Sequence, residues 1–218
     1  MENKNDLSLK ILASIGELAV IAAYAMKNPK FREIVSTYKR VIPLGDNEGA
    51  RVLINHNKLL RNYDGAIGIK TGYTKTSGRC LVSSSARDGV ELICVTLSAP
   101  SDWQDHESIL DLGNSLYESK TIAQKDDLAI ELDLVNGEKS KIQLFIPEDI
   151  TATVRKNEEI KTVIEAPRLI FAPIIKNQAV GKILFIQNGE IIATSPLVAK
   201  DSIQQANGRS GLFKIFSK

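Results

Sequence analysis

An Asp-Gly pair, Asp88-Gly89, is the feature of this sequence that most constrains its fold. The pair joins two apolar runs, RCLVSSSA and VELICVTLSA. Asp-Gly is typical of a two-residue hairpin turn because both residues tolerate positive φ. With this pair as the loop, Arg87 pairs with Val90, and that pairing sets the register of both strands. We therefore predict a tightly turned antiparallel hairpin.

The hairpin register also places the two cysteines of the chain. Ser83 faces Cys94, whereas Cys80 points to the opposite face of the sheet, so a disulfide between the cysteines is disfavoured. Both cysteines are interpreted as small core residues. Nothing near the run Ser83-Ser84-Ser85 would activate a hydroxyl, and we predict no nucleophile there.

Helices are predicted on both sides of the hairpin. Apolar residues recur at helical spacing over residues 9–27, and Asn28-Pro29 ends that helix. A second helix is predicted over residues 103–119. The two apolar stripes are predicted to comprise Leu12, Ile15, Leu18, Ala19, Ala22, Ala25 and Met26, and then Ile109, Leu110, Leu112 and Leu116. A helix, a sheet and a second helix describe part of an α+β unit.

Shorter elements connect the first helix to the hairpin. The run FREIV is predicted as a helical turn, and YKRVIP and GARVLINH as strands joined by the GDNEG turn. The run NHNKLL is predicted as a short helix or a loop. The next run, GAIGIKTG, is predicted as an apolar strand that ends at a glycine.

After Ser119 the sequence changes to short β runs separated by turns. The runs include IQLFI, ITATV, IKTVIEA, KILFIQ and EIIATSPLVA. Many short strands with regular turns are typical of a small sandwich or barrel. With a boundary near 120–124, we predict a partial domain over residues 1–120, a β-rich domain over 121–204 and a tail over 205–218.

Charge and hydropathy disfavour several kinds of partner. The chain has 28 basic and 26 acidic residues and a net charge of +2, so no basic field points to nucleic acid. No run of about 18 apolar residues predicts a transmembrane helix. Acidic residues such as Glu17 interrupt the first apolar segment and disfavour a signal peptide.

The tail is a candidate amphipathic membrane anchor, with a frayed end as the alternative, because it contains Leu212, Phe213, Ile215 and Phe216.

The two histidines stand too far from other metal-ligating residues to predict a metal site, and no cofactor is predicted. Loop packing is favoured for His56 over a place at the rim of an active site. The favoured role of Asp105 and Glu107, which flank His106, is to complement the dipole at a helix start. Trp103 is interpreted as a residue that packs this helix onto the sheet.

The tripeptide Lys70-Thr71-Gly72 carries the most informative chemistry. It lies at the end of an apolar strand, inside GIKTGYTKTSGRCLV. A glycine at a strand edge lets a ligand approach closely, and an edge strand can bind a peptide as another strand would. Lysine and threonine supply a positive charge and a hydroxyl, which suit a carboxylate.

In these surroundings the tripeptide resembles the K-T-G motif that accompanies S-x-x-K and S-D-N in class A β-lactamases and penicillin-binding proteins. The stretch NHNKLLRNYDGAIGIKTGYTKTSGRCLVSSSARDGVELICVTLSAP is similar to the low-molecular-mass penicillin-binding proteins, the serine D-alanyl-D-alanine carboxypeptidases. The run APIIKNQAVGKILFIQNGEIIATSPLVA resembles their carboxy-terminal β domain. The resemblance implies an α+β fold: a partial transpeptidase-like (β-lactamase-like) domain with an antiparallel sheet and flanking helices, then a small all-β sandwich-like domain.

The resemblance also implies an activity and roles for individual residues. The family removes the terminal D-alanine from the stem pentapeptides of peptidoglycan, binds β-lactams and acts at the outer face of the cytoplasmic membrane. Lys70 and Thr71 match the residues that bind the terminal carboxylate and help protonate the leaving group, and Gly72 allows the close approach. The N–H of Tyr73 matches an oxyanion-hole donor, and Thr74 matches a second hydroxyl near the substrate.

Two elements of the family pattern are missing from these residues. The one Ser-x-x-Lys string, Ser36-Thr37-Tyr38-Lys39, runs into a predicted strand, whereas a nucleophile needs its base one turn away on the same helix face. No Ser-x-Asn occurs. We therefore expect a chain without its nucleophile, inactive alone, whose length reflects a deletion and whose sheet exposes apolar surface.

Two alternatives to this interpretation stay open. A non-catalytic scaffold protein of the cell envelope would also lack the nucleophile. An unrelated α+β protein with a coincidental K-T-G would not place that tripeptide at a sheet edge beside an open groove.

Overall fold

The computed structural model describes residues 14–45 and 49–206, which divide into two compact units between Glu118 and Ser119. The division lies just before the predicted boundary, and the predicted tail lies outside the described residues from position 207 onward. The first unit contains α1 (Ile15–Met26), α2 (Pro29–Ser36), β1 (Lys39–Pro43), β2 (Ala50–Ile54), α3 (Leu59–Asn62), β3 (Ala66–Thr74), β4 (Gly78–Arg87), β5 (Val90–Thr96) and α4 (Asp102–Leu116).

The helix α1 is described from Ile15, and residues 9–13 of the predicted helix lie outside the described residues. Ser14 has an extended backbone, its hydroxyl accepts the N–H of Glu17, and the Glu17 carboxylate accepts the N–H of Ser14. This reciprocal capping box satisfies N–H groups that a helix leaves free at its start, and so begins α1 at Ile15. The predicted stripe is buried at Ala22 and Met26, which pack with Ile69 of the sheet, but Ile15 is exposed. Leu12 of the predicted stripe lies outside the described residues.

Apolar side chains are exposed on the outer face of α1 and on the β1–β2 hairpin. All ten residues of the two paired strands are exposed. The exposed apolar side chains here are Ile15, Val20, Ile21 and Tyr24 of α1, Val41 and Ile42 of β1, and Val52, Leu53 and Ile54 of β2. An apolar surface of this kind marks a protein interface or favours aggregation.

The central sheet of the first unit has the strand order β3-β4-β5, with both pairs antiparallel. The predicted hairpin register is confirmed, because Arg87 pairs with Val90 and Ser83 pairs with Cys94. Asp88 and Gly89 both have positive φ, as the turn requires. Cys80 and Cys94 are free thiols.

The helix α4 differs from the prediction at its end and on its buried face. It ends at Leu116, and Tyr117 continues directly into a strand, because pairing with a later strand overrides the helix predicted to residue 119. Ile109 and Leu112 are exposed, so the predicted stripe is wrong at these positions. The buried residues of α4 are Asp102, His106 and Leu110, at a spacing of four residues. Two of the three are polar, and a search for apolar periodicity does not find them.

The second unit is all-β, as predicted. Its strands are β6 (Tyr117–Ala123), β7 (Leu128–Val135), β8 (Lys141–Phe145), β9 (Ile150–Arg155), β10 (Lys161–Glu165), β11 (Leu169–Phe171), β12 (Ala179–Gln187) and β13 (Glu190–Ala199). A six-stranded sheet, β10-β12-β13-β8-β7-β11, and a β6-β9 pair surround one hydrophobic core, in which Phe185 is the aromatic member among aliphatic residues. The sequence does not predict β11, a three-residue strand that pairs in parallel with β7.

Candidate functional site

The predicted site residues Lys70, Thr71 and Gly72 lie in β3, at the edge of the central sheet. Because the strand order is β3-β4-β5, β4 pairs with one side of β3 only. In that pairing Lys70 is opposite Val82 and Gly72 is opposite Cys80. The other side of an edge strand offers backbone hydrogen-bonding groups to an extended ligand.

A groove of about 970 Å³ opens beside this part of β3. It is lined by His56, Lys58, Lys70, Thr71, Gly72, Tyr73, Gly78, Arg79, Ser98, Pro100, Asp102 and Trp103. Four of the five predicted site residues are therefore at the groove. The fifth, Thr74, lies one residue further, where its hydroxyl accepts the N–H of Ser77 at 2.9 Å in the β3–β4 turn. The edge position and the groove argue against a coincidental K-T-G.

The groove presents the Lys70 cation without a carboxylate partner in the described part of the chain. The exposed Lys70 ammonium donates to the carbonyl of Thr71. The groove has one carboxylate in its lining, that of Asp102, which is only 3% exposed and lies 3.2 Å from Nε of Arg79. The Asp102 charge is thus balanced, whereas the Lys70 charge is available to an anionic ligand.

The segment from Asn55 to Lys58 forms another part of the groove wall. Two asparagines anchor it: the Asn55 amide donates to the carbonyls of Val35 and Thr37, and the fully buried Asn57 donates to the carbonyl of Gly68 at 2.8 Å. The residues that alternate with the asparagines, His56 and Lys58, are exposed and line the groove.

His56 therefore lies at the rim of the groove and not in the loop packing that the sequence favours. Lys58 was not predicted as a site residue at all. The alternation of Asn with His and Lys in NHNK is the one sequence signal that could have indicated both residues.

The fold of the chain does not require a glycine at position 72, which lines the groove. A Cβ at this position would meet nothing nearer than the Cβ and carbonyl oxygen of Cys80, both at 3.8 Å, and its backbone is not left-handed. Gly78, at the start of β4, is different: its φ is +67°, and a Cβ there would lie 2.8 Å from Oγ of Ser98. The fold requires glycine at 78, whereas at 72 glycine keeps the strand edge open.

A second polar cluster, which sequence analysis missed, lies under α4. Nδ1 of His106 is 2.6 Å from Oγ of Ser83, and its Nε2 is 3.0 Å from Oγ1 of Thr96. The prediction that no group near Ser83 could activate its hydroxyl is thus wrong, because packing brings the His106 imidazole, 23 positions away in the chain, within hydrogen-bond distance. Ser83 and His106 are both fully buried, so a substrate does not reach this pair.

The burial of His106 changes its protonation. Removal from water lowers the pKa of His106 to about 4, and the nearby carboxylates of Asp102 and Asp105 oppose this shift. The imidazole is neutral at pH 7, with one ring nitrogen as donor and the other as acceptor between the two hydroxyls. The cluster is a structural support between α4 and the sheet.

The Ser36 string does not form a nucleophile and base on one helix. Ser36 is the last residue of α2, and its hydroxyl donates to the carbonyl of Glu33 at 3.2 Å. Lys39 lies on β1, beyond the end of the helix. Within residues 14–45 and 49–206, no three His, Cys, Asp or Glu side chains group as metal ligands do, and none of the helices has the length and apolarity to span a bilayer.

Comparison with known proteins gives matches to both units. The family profile described as D-alanyl-D-alanine carboxypeptidase matches residues 2–101, and the profile of the C-terminal domain of penicillin-binding protein 5 matches residues 117–205. The D-alanyl-D-alanine carboxypeptidase DacF of Bacillus subtilis is 27% identical over 201 residues, which cover 89% of this chain and 51% of the relative. DacC of Escherichia coli, also a D-alanyl-D-alanine carboxypeptidase, is 30% identical over 159 residues, which cover 69% of this chain and 40% of the relative.

A solved structure confirms the fold. The crystal structure of a peptidoglycan synthesis regulatory factor (PBP3) from Streptococcus pneumoniae superposes with a TM-score of 0.69 at 21% identity and covers 88% of this chain and 57% of that one. The chain thus spans about half the length of the curated relatives it matches.

The pKa of His106 predicts a pH-dependent stability. The pKa of His106 is about 4 in the folded chain and has its ordinary value of 6.5 in the unfolded chain. At pH values between these two, the unfolded chain binds a proton that the folded chain excludes. The free energy of unfolding therefore falls as the pH falls, by about 3 kcal/mol for this residue. Urea unfolding at pH 7.5 and at pH 4.5 measures the loss. His106→Gln should abolish most of the slope, and the exposed His56→Gln should keep it. An unchanged slope in His106→Gln would contradict this assignment.

The two glycines predict opposite effects of the same substitution. Gly72→Ala should leave the free energy of unfolding unchanged or raise it by up to about 1 kcal/mol, because the new methyl group fits and the unfolded chain loses freedom. Gly78→Ala should lower it by about 1–3 kcal/mol, because of the left-handed backbone and the contact with Ser98. Thermal and urea unfolding compare the two. Equal losses would show that Gly72 is also required by the fold.

Proposed function

The chain belongs to the serine D-alanyl-D-alanine carboxypeptidases, the low-molecular-mass penicillin-binding proteins, and on that premise we propose that its groove is the carboxylate-binding part of a D-alanyl-D-alanine site. The ligand is the terminal D-alanyl-D-alanine of a peptidoglycan stem peptide, or a β-lactam in its place. The chain by itself binds this ligand without cleaving it. Its place of action is the cell envelope.

One observation carries the proposal: the Lys70-Thr71-Gly72 tripeptide lies on a sheet edge, at an open groove, with the lysine unpaired by any carboxylate in the described ranges. A peptide carboxylate there gains a charge-assisted hydrogen bond from Lys70 and a hydroxyl donor from Thr71. The ligand backbone extends along β3 as a further strand. Space at Gly72 admits it.

The chemistry beyond binding needs groups that these residues do not supply. In acyl transfer a serine oxygen attacks the carbonyl carbon and a base removes its proton. Ser83 is buried and Ser36 is bonded to its own helix. The N–H of Tyr73 serves as one oxyanion donor, but an oxyanion donor without a nucleophile forms no acyl-enzyme.

Peptide binding tests the carboxylate contact. In an NMR titration with an acetylated peptide that ends in D-alanyl-D-alanine, Lys70→Met should weaken binding about tenfold or more, because a charge-assisted hydrogen bond is lost. A peptide with a carboxy-terminal amide should bind the parent chain as weakly as the acid peptide binds Lys70→Met. The affinity of the amide peptide should be the same for Lys70→Met as for the parent chain. Lys75→Met is the matched control, since Lys75 is exposed and does not line the groove. Equal affinity for the acid and the amide would contradict the proposal.

A covalent label tests the missing nucleophile. Incubation with a fluorescent penicillin, followed by a denaturing gel, should give no labelled band for the parent chain or for Ser36→Ala. A sample denatured before the probe is added controls for non-specific attachment. A band that disappears in Ser36→Ala would assign the nucleophile to Ser36. A band that persists in that variant would show a different nucleophile, and either result would overturn the proposal that the chain is inactive alone.

A further inference from the structure

A second pocket adjoins the groove on the far side of Lys58. It has a volume of about 490 Å³ and shares His56 and Lys58 with the groove. Its other wall includes Tyr38, Arg61 and Asn62. The two pockets thus adjoin at the segment that carries His56 and Lys58.

The second pocket is cationic. Its lining contains Lys58 and Arg61 and no Asp or Glu. Neither cation forms an ion pair with a carboxylate in the described ranges: the Lys58 ammonium lies 5.9 Å from the centre of the Trp103 ring, and the Arg61 guanidinium donates to the hydroxyl of Tyr38 at 3.2 Å. In contrast, Arg79 in the groove is already balanced by Asp102. Two cations without acidic partners attract an anion.

The backbone around Lys58 is fixed with respect to Lys70. Oδ1 of Asn57 accepts the N–H of Leu59, and its amide donates to the carbonyl of Gly68, two residues before Lys70 in β3. The carbonyl of Lys58 accepts the N–H groups of Arg61 and Asn62 in α3. These bonds hold the two lysines on connected, rigid backbone, so a ligand does not have to order the segment when it binds.

We propose that the pocket of Lys58 and Arg61 is an anion subsite for the same ligand whose terminal carboxylate lies at Lys70. The ligand class is a peptide that ends in D-alanyl-D-alanine and carries a second carboxylate further from its carboxy terminus. The subsite rests on the proposed function, because it is defined relative to the carboxylate at Lys70. It selects acidic over neutral stem peptides.

Paired peptides test the subsite. Two pairs of acetylated peptides are used, and all four peptides end in D-alanyl-D-alanine. Within each pair, one peptide has Glu and the other has Gln at a single position. That position is the third residue from the carboxy terminus in the first pair and the fourth in the second pair. At low ionic strength the parent chain should bind the Glu peptide of at least one pair about threefold more tightly, in the range of partly exposed ion pairs. The preference should disappear at about 1 M salt, where the Debye length is about 3 Å.

Variants at position 58 separate the subsite from the carboxylate contact. Lys58→Met should abolish the Glu preference, Lys58→Arg should retain it, and Lys75→Met should leave it unchanged. No Glu preference in either pair, or a preference that survives Lys58→Met, would overturn the subsite. Failure of every peptide to bind in a Lys70-dependent way would overturn the proposed function instead, so the two failures are distinguishable.

Discussion

The pairing of β4 on both of its edges is the constraint on which the site depends. Because β5 follows through the Asp88-Gly89 turn and β3 pairs on the other side, β4 is the central strand, with Leu81 and Ser83 almost completely buried. β3 is left with one free side, and the K-T-G tripeptide lies in the second half of this strand, two residues before its end at Thr74. A ligand that binds as a strand can then reach the tripeptide without any rearrangement of the sheet.

Buried polar contacts hold the rest of the groove on this sheet. Asp102 fixes the start of α4 to Arg79 of β4, His106 joins α4 to two strand hydroxyls, and Asn57 joins the groove wall to β3. An unsatisfied polar group in these positions would be costly, so each contact specifies one arrangement where apolar packing alone would allow several. These residues position the groove, whereas Lys58 and Lys70 line it.

The groups that line the groove favour the binding of an anion. Its lining contains cations, the hydroxyls of Thr71, Tyr73 and Ser98, and an open strand edge, which are groups suited to a carboxylate. Ser83 is buried, and the Ser36 hydroxyl is bonded to its own helix. The same unit exposes apolar side chains on α1 and on the β1–β2 hairpin, and the relatives are about twice as long as this chain. Recognition of a carboxylate, without bond cleavage, is the role that we propose for the groove residues.

The sequence by itself determined the features that depend on neighbouring residues. The Asp-Gly turn, the strand that carries Lys70-Thr71-Gly72 and the change to short strands after Ser119 follow from backbone preferences that act over a few residues. The predicted end of that strand at Gly72 is wrong, because β3 continues in its pairing with β4 to Thr74. Only the tertiary structure decided the end of α4, the strand β11, the contact of His106 with Ser83 and the place of Lys58 beside the groove. These features join residues far apart in the chain, and packing and pairing energies, which no local pattern records, override the local preference there.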